Sequence, residues 1–230
     1  MKFTLYTADC VGSLPNSIYP HKCVITDENS MKAAVAFDHV AAEYTNNHRS
    51  NTDFLSSDNI PMDCDNDHSD DANDWVTPLE VAMAFPGVEF VVVYSRNHML
   101  PKSGKTARPR FHVYFPISPI TDSSEYTALK KRIAAEFPYF DKNALDSARL
   151  LFGVTNPQVE IYNGDMSIVD FLDNADFEKW DSDSASVPEG SRNCTMSHYA
   201  GRIIKRRGNT DEAYKPVSYT HLTLPTSDLV

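Results

Sequence analysis

Hydrophobic and polar positions along the chain follow two periods. Residues 88–95 (VEFVVVYS) form the most apolar strand-like run, which predicts a central strand covered on both faces. Residues 110–115 (RFHVYF) alternate strictly, with Phe111, Val113 and Phe115 on a core side and Arg110, His112 and Tyr114 on the other. Residues 54–64 read as a strand or strand pair, and shorter strands are expected at 3–7, 22–26 and 158–162. Helical spacing puts Met31, Ala34, Val35, Asp38, Ala41 and Ala42 near one stripe, predicting a helix over 31–44 with Ser30 as its cap. Tyr126, Leu129, Ile133 and Phe137 form the inward stripe of a helix over 124–137. Thr77-Pro78-Leu79-Glu80 carries a capping residue, a first-turn proline and the Glu of a capping box, so a helix runs from there to Pro86-Gly87. A short helix is expected over 167–172, and Met196, Tyr199, Ala200, Ile203 and Ile204 keep helical spacing up to Gly208.

Composition sets the scale. With 230 residues, 41% hydrophobic, the chain has room for one well-packed domain and a piece of a second. The polar, acidic stretch 173–190 reads as a linker between a domain over 1–172 and a helical segment over 191–215. No apolar run is long enough for a membrane span, and the N-terminus has no secretory pattern. Four widely spaced cysteines without a C-x-x-C predict reduced thiols and a cytoplasmic location.

Net charge is −11, which by itself argues against a nucleic-acid binder, but the charge is segmented. Residues 54–75 hold seven Asp (58, 63, 65, 67, 70, 71 and 74) and no Lys or Arg. Residues 96–110 hold five basic side chains and no acid, and so do 192–207. Crowded carboxylates raise one another's pKa unless a positive charge sits among them, and a divalent metal with its preference for hard oxygens is the readiest relief. Asp63 and Asp65 flank Cys64, so on a strand both carboxylates share a face. The plain alternative is a solvated acidic loop. An EF-hand-like calcium loop matches at Asp63, Asp65 and Asp67 but fails at His68 and Asp74, and lacks flanking helices.

Three segments together supply what metal-assisted nucleotidyl transfer needs: carboxylates for metals, a donor for a triphosphate and a basic track for a template. They are Asp63-Cys-Asp65, Arg110-Phe-His112 and Leu145-Asp146 with Arg149 nearby. In this order they resemble the three signatures of the archaeo-eukaryotic primase superfamily, in its phage and plasmid primase-polymerase branch, over about 54–164. The match departs from the family pattern at Arg110, where a small residue is usual. The resemblance implies an α+β fold: a catalytic domain with an RRM-like palm, helices packed on a mixed or antiparallel sheet, and then a truncated helical segment. It also implies that Asp63, Asp65 and Asp146 bind Mg²⁺ or Mn²⁺ and that His112 contacts the incoming nucleotide. The implied partners are a single-stranded DNA template, nucleoside triphosphates and a helicase-type ATPase domain or subunit. Residues 216–230 resemble translated sequencing-adapter sequence and are read as a non-native tail.

Each role has a structural alternative. Arg110 facing phosphate is chemically sensible. Asp146 serves as a metal ligand, a helix cap or a partner of Arg149; Arg149 pairs structurally or meets phosphate. Lys102, Lys105 and Arg108 grip template phosphates or only solubilise a loop. For the whole chain the reading is a DNA primase-polymerase of a mobile element; the rivals are a metal-dependent nuclease and an inactive DNA-binding replication module.

Overall fold

The computed structural model describes residues 1–175. The rest of the expected linker, the 191–215 helical segment, the second basic block and the 216–230 tail lie outside the described residues. The fold is α+β. Five strands form the main sheet in the order β4 (Ala42–Tyr44), β5 (Phe54–Cys64), β7 (Phe111–Ile120), β6 (Phe90–Tyr94), β8 (Val159–Tyr162), and every pair is antiparallel. A smaller antiparallel sheet has the order β2 (His21–Ile25), β1 (Phe3–Thr7), β3 (His39–Val40).

Both faces of the main sheet are buried. Phe90, Val92, Phe111, Val113 and Phe115 join a cluster with residues of α2 (Pro78–Ala84), α3 (Ser123–Glu136) and α4 (Ile168–Asn174). Val91, Val93 and Tyr114 join a second cluster with Phe3 and Leu5 of β1 and Met31, Ala34 and Val35 of α1 (Glu28–Val35). The run VEFVVVYS is apolar throughout because β6 sits between two neighbours and under two layers. The face carrying Arg110, His112 and Tyr114 is therefore also a core face, and its end at His112 reaches a cavity.

Local signals explain most element ends. Thr77 and Glu80 form the expected capping box at α2, with Thr77 N–H on Glu80 Oε2 at 2.7 Å. The expected helix over 31–44 is corrected. The α1 cap is Asp27, with Ser30 completing its capping box three residues on, and the helix ends at Val35. What stops it is tertiary: the Asp38 carboxylate accepts N–H groups of Gly12, Ser13 and Gly153, each at 2.7 Å. The chain then runs on as β3 and β4. In α3 the side chain at 130 is buried although it is a lysine. The first two residues of the expected linker, 173 and 174, belong to α4.

Beyond Ser57, β5 has β7 as its only partner among the named strands, which accommodates Pro61 on the free edge. That edge also leaves the 63–65 end open to the 141–149 segment, which docks through Asp141 N–H on the Asp63 carbonyl at 2.8 Å.

Candidate active site

The β5–β7 register sets the centre of the site. Asp63 lies directly opposite His112, and Asp63 Oδ1 is 2.8 Å from His112 Nδ1. Asp63 Oδ2 accepts from Arg149 Nε at 3.1 Å and from Arg149 Nη2. The Asp63 side chain is 4% exposed. Burial alone would raise its carboxyl, but the charge and hydrogen bond of His112, with those of Arg149, outweigh it and hold Asp63 well below the usual carboxylate range. Arg149 in turn is raised: burial acts against its charge, and Asp63 more than offsets it. Arg149 therefore pairs with Asp63 and not, as the sequence spacing allowed, with Asp146.

Asp65 follows the strand end and binds Lys102 Nζ through Oδ2 at 2.7 Å. Asp146 is half-buried, and its Oδ1 accepts the Ala148 N–H at 2.9 Å, a local turn in place of a helix cap. Its Oδ2 has no hydrogen bond among the described residues. Beneath this segment, Lys130 of α3 is fully buried with Nζ 3.4 Å from the Asp146 carbonyl. Burial lowers its pKa to about 8, against the opposing pull of Asp63 and Asp146.

The acidic block finds its countercharge in the basic block. Arg108 is completely buried and uses all five N–H donors: Nε to Thr106 O, Nη1 to Asn66 O and Ser69 O, Nη2 to Asp70 Oδ1 and Thr106 Oγ1. Its guanidinium also lies 5.1 Å from the Trp75 ring centre. Lys105 reaches Asp70 at 3.4 Å. Two expectations are corrected here. Arg108 has no donor left for a template phosphate, because it pins the 66–70 loop. Arg110 does not face phosphate either: it is buried, turns to the carbonyls of Leu100 and Asn97, and stands 4.0 Å from Asp65 and 3.5 Å from Asp67. Among the described residues its Nε and Nη2 have no hydrogen bond, and the two carboxylates there compensate it by charge alone.

A cavity of about 310 Å³ gathers the remaining groups. Asp63, Asp65, Asp146, His112, Arg149 and Lys102 all line it, although they come from three distant stretches of sequence. Two further arginines line it, Arg49 and Arg96, which no local sequence signal marked as site residues, together with Leu14 and Phe152. Arg49 sits in a polar loop without periodicity, and its contact, Nη1 to the Ala148 carbonyl at 2.9 Å, spans 99 positions. Arg96 stood in the basic block, but nothing local separated it from Arg108 or Arg110.

Four cations and an imidazole thus surround three carboxylates, a balance suited to a polyanion. Among the described residues, no group of three or more His, Cys, Asp or Glu side chains is already converged to hold a metal ion. The donor set still fits a hard divalent cation: three carboxylates open onto one cavity, and Asp146 keeps an oxygen without a hydrogen bond. Lys102 and Arg149 stand where such a cation would compete. No described helix is long and apolar enough to cross a membrane.

No family model matches the chain, and no curated protein matches it. Among solved structures it is similar to the AEP domain of the primase-polymerase of cyanophage S-2L, at 16% identity and a TM-score of 0.37, over 70% of this chain and 84% of that one. A likeness of that degree speaks to neither activity nor substrate.

Proposed function

We propose that this protein catalyses template-directed nucleotidyl transfer as the primase-polymerase domain of a mobile element. A 3′-hydroxyl attacks the α-phosphate of a bound nucleoside triphosphate and pyrophosphate leaves. The observation that carries the reading is the shared cavity: Asp63, Asp65 and Asp146 line it with His112 and four cationic side chains. A nuclease would use the same carboxylates without needing His112 to bind a triphosphate.

Within this reading, His112 is held by Asp63 through Nδ1, so its other nitrogen is the one offered to the triphosphate. Arg149 and Lys102 balance the Asp63 and Asp65 carboxylates while the site is free of ligand, and donate to phosphate oxygens when it is filled. Asp63, Asp65 and Asp146 would hold Mg²⁺ or Mn²⁺, which supplies Lewis-acid stabilisation of charge on the reacting phosphate. With Arg108 set aside and Lys102 given to the nucleotide, half-exposed Lys105 is what remains of the expected template-gripping trio.

The test incubates the protein with single-stranded DNA, labelled nucleotides and Mn²⁺ or Mg²⁺, beside an Asp65→Asn, Asp146→Asn double variant of unchanged melting temperature. Synthesis by the wild type alone supports the proposal. Degradation of the DNA by the wild type alone supports the nuclease, and metal-independent binding with neither outcome supports an inactive module.

A further inference from the structure

Three of the four cations lining the cavity are engaged: Arg149 on Asp63, Lys102 on Asp65 and Arg49 on the Ala148 carbonyl. Arg96 makes no hydrogen bond or ion pair among the described residues, and it is exposed. It is nevertheless not a free surface arginine. Its guanidinium carbon stacks 3.9 Å from the centre of the Phe152 ring. Its Nη1 stands 2.9 Å from where a Cβ on Gly12 would be, and Gly12 has φ +74°, so a side chain at position 12 would be strained and would push the guanidinium aside.

The segments carrying Gly12 and Phe152 are held by one group. Asp38, fully buried, accepts the N–H groups of Gly12, Ser13 and Gly153, so it knots the 12–13 segment to the 152–153 segment. Gly153 is locked as well: a Cβ there would meet the Ala36 carbonyl oxygen at 2.7 Å. Three stretches of chain far apart in sequence are therefore tied together, and they hold Gly12 and Phe152 on either side of the Arg96 guanidinium.

A stacked guanidinium has already given up most of its rotamer freedom, yet its N–H donors stay in the plane, free for two parallel bonds. Paired oxygens on a tetrahedral anion match that fork. We propose that Arg96 is a preorganised phosphate-binding arm at the mouth of the cavity, with Phe152 and Gly12 as its positioning partners. The phosphate comes either from the nucleotide's triphosphate or from a DNA strand; only that choice of sources rests on the nucleotidyl-transfer reading.

Two probes distinguish them: inorganic tripolyphosphate by calorimetry and a labelled thymidine oligonucleotide by fluorescence anisotropy, both at one fixed ionic strength. The proteins are wild type, Arg96→Gln, Arg96→Lys and Phe152→Leu. Arg96 has no polar partner to lose among the described residues, so its variants should fold like the wild type. The expected result is a loss of about tenfold for one probe in Arg96→Gln. Lys should recover little of it, and Phe152→Leu, which keeps the charge, should weaken the same probe about threefold. A loss confined to tripolyphosphate assigns the arm to the nucleotide; a loss confined to the oligonucleotide assigns it to the strand. Unchanged binding of both probes by Arg96→Gln overturns the inference and leaves the nucleotidyl-transfer proposal standing. A wild type that binds neither probe overturns both.

Discussion

Asp63 and His112 are opposite each other across the β5–β7 ladder, with Asp63 Oδ1 2.8 Å from His112 Nδ1. A buried carboxylate bonded to one imidazole nitrogen fixes the ring and leaves the other nitrogen for a ligand. His112→Ala should raise the nucleotide KM by about tenfold or more, the loss of one charge-assisted contact. Binding of single-stranded DNA should change by less than about twofold. Steady-state kinetics and anisotropy measured on the same preparation decide it; equal losses in both would remove the role given to His112.

The same carboxylate also stabilises the fold in a pH-dependent way. Its folded pKa is depressed, so its contribution is complete above the unfolded value of about 3.9 and is lost as pH falls toward the folded one. Asp63→Asn should therefore destabilise at pH 7 and flatten the acid limb below about pH 5. The cost at pH 7 should be roughly 2–4 kcal/mol, under the range for a fully buried pair because Arg149 is 33% exposed. Urea unfolding from pH 7 to pH 3 measures both effects. An acid limb equally steep in the variant would mean that other carboxylates govern it.

Arg108 gives a contrast between structure and surface. With five donors satisfied in a buried site, Arg108→Met should cost roughly 3–5 kcal/mol, because Asp70 and the carbonyls of Asn66 and Ser69 lose their donor. Arg108→Lys should recover little, since three donors on a point charge cannot reach the same set. Lys105→Ala, at a half-exposed ion pair, should cost about 0.5 kcal/mol or less. Chemical denaturation of the three variants ranks them.

What the sequence made legible follows from range. The Thr77–Glu80 capping box and the apolar run of β6 are decided within a few residues, and they match the structure. The pairing of Asp63 with Asp65 on one face needs only the alternation of a strand. The helix expected over 31–44 failed because its second half is claimed by Asp38, whose three N–H partners lie as far as 115 positions away. Arg110 failed because period two gives the face of a residue but not where the face ends: at position 110 the strand has not begun, and the side chain folds back under the 97–100 turn. Arg49 and Phe152 carry no local signal at all. The acidic block's countercharge was written in the sequence as the next basic block, but charge runs alone do not tell a metal site from a clasp between two loops.

His39 supplies a second pH dependence of distinct origin. It is fully buried between the Phe37 carbonyl and the Tyr114 hydroxyl, and burial lowers its pKa to about 4. Between the unfolded value of about 6.5 and that folded value, the unfolded chain binds a proton the native one refuses, so stability falls as pH drops through this window. His39→Gln should flatten the slope between pH 6.5 and 4 while leaving the steeper loss below pH 4 in place. Thermal melts across that range, compared with Asp63→Asn, separate the two groups by the pH at which each variant departs from wild type.

Lys102 bears on the metal directly. Its ammonium binds Asp65 Oδ2 at 2.7 Å, so a divalent cation at Asp65 competes with it for that oxygen and is repelled by its charge. Removing a competing positive charge from a partly exposed carboxylate should tighten cation binding several-fold, by on the order of 1 kcal/mol. Lys102→Met should thus bind Mn²⁺ more tightly than the wild type in the absence of nucleotide, as read by electron paramagnetic resonance of free Mn²⁺. If Lys102 also donates to phosphate when the site is filled, the same variant should bind tripolyphosphate more weakly in the absence of metal. Opposite shifts for cation and anion are the signature of a lysine that holds the place of one and receives the other. Parallel losses would mean that Lys102 is needed for the shape of the 97–105 loop, and the exchange would have to be dropped.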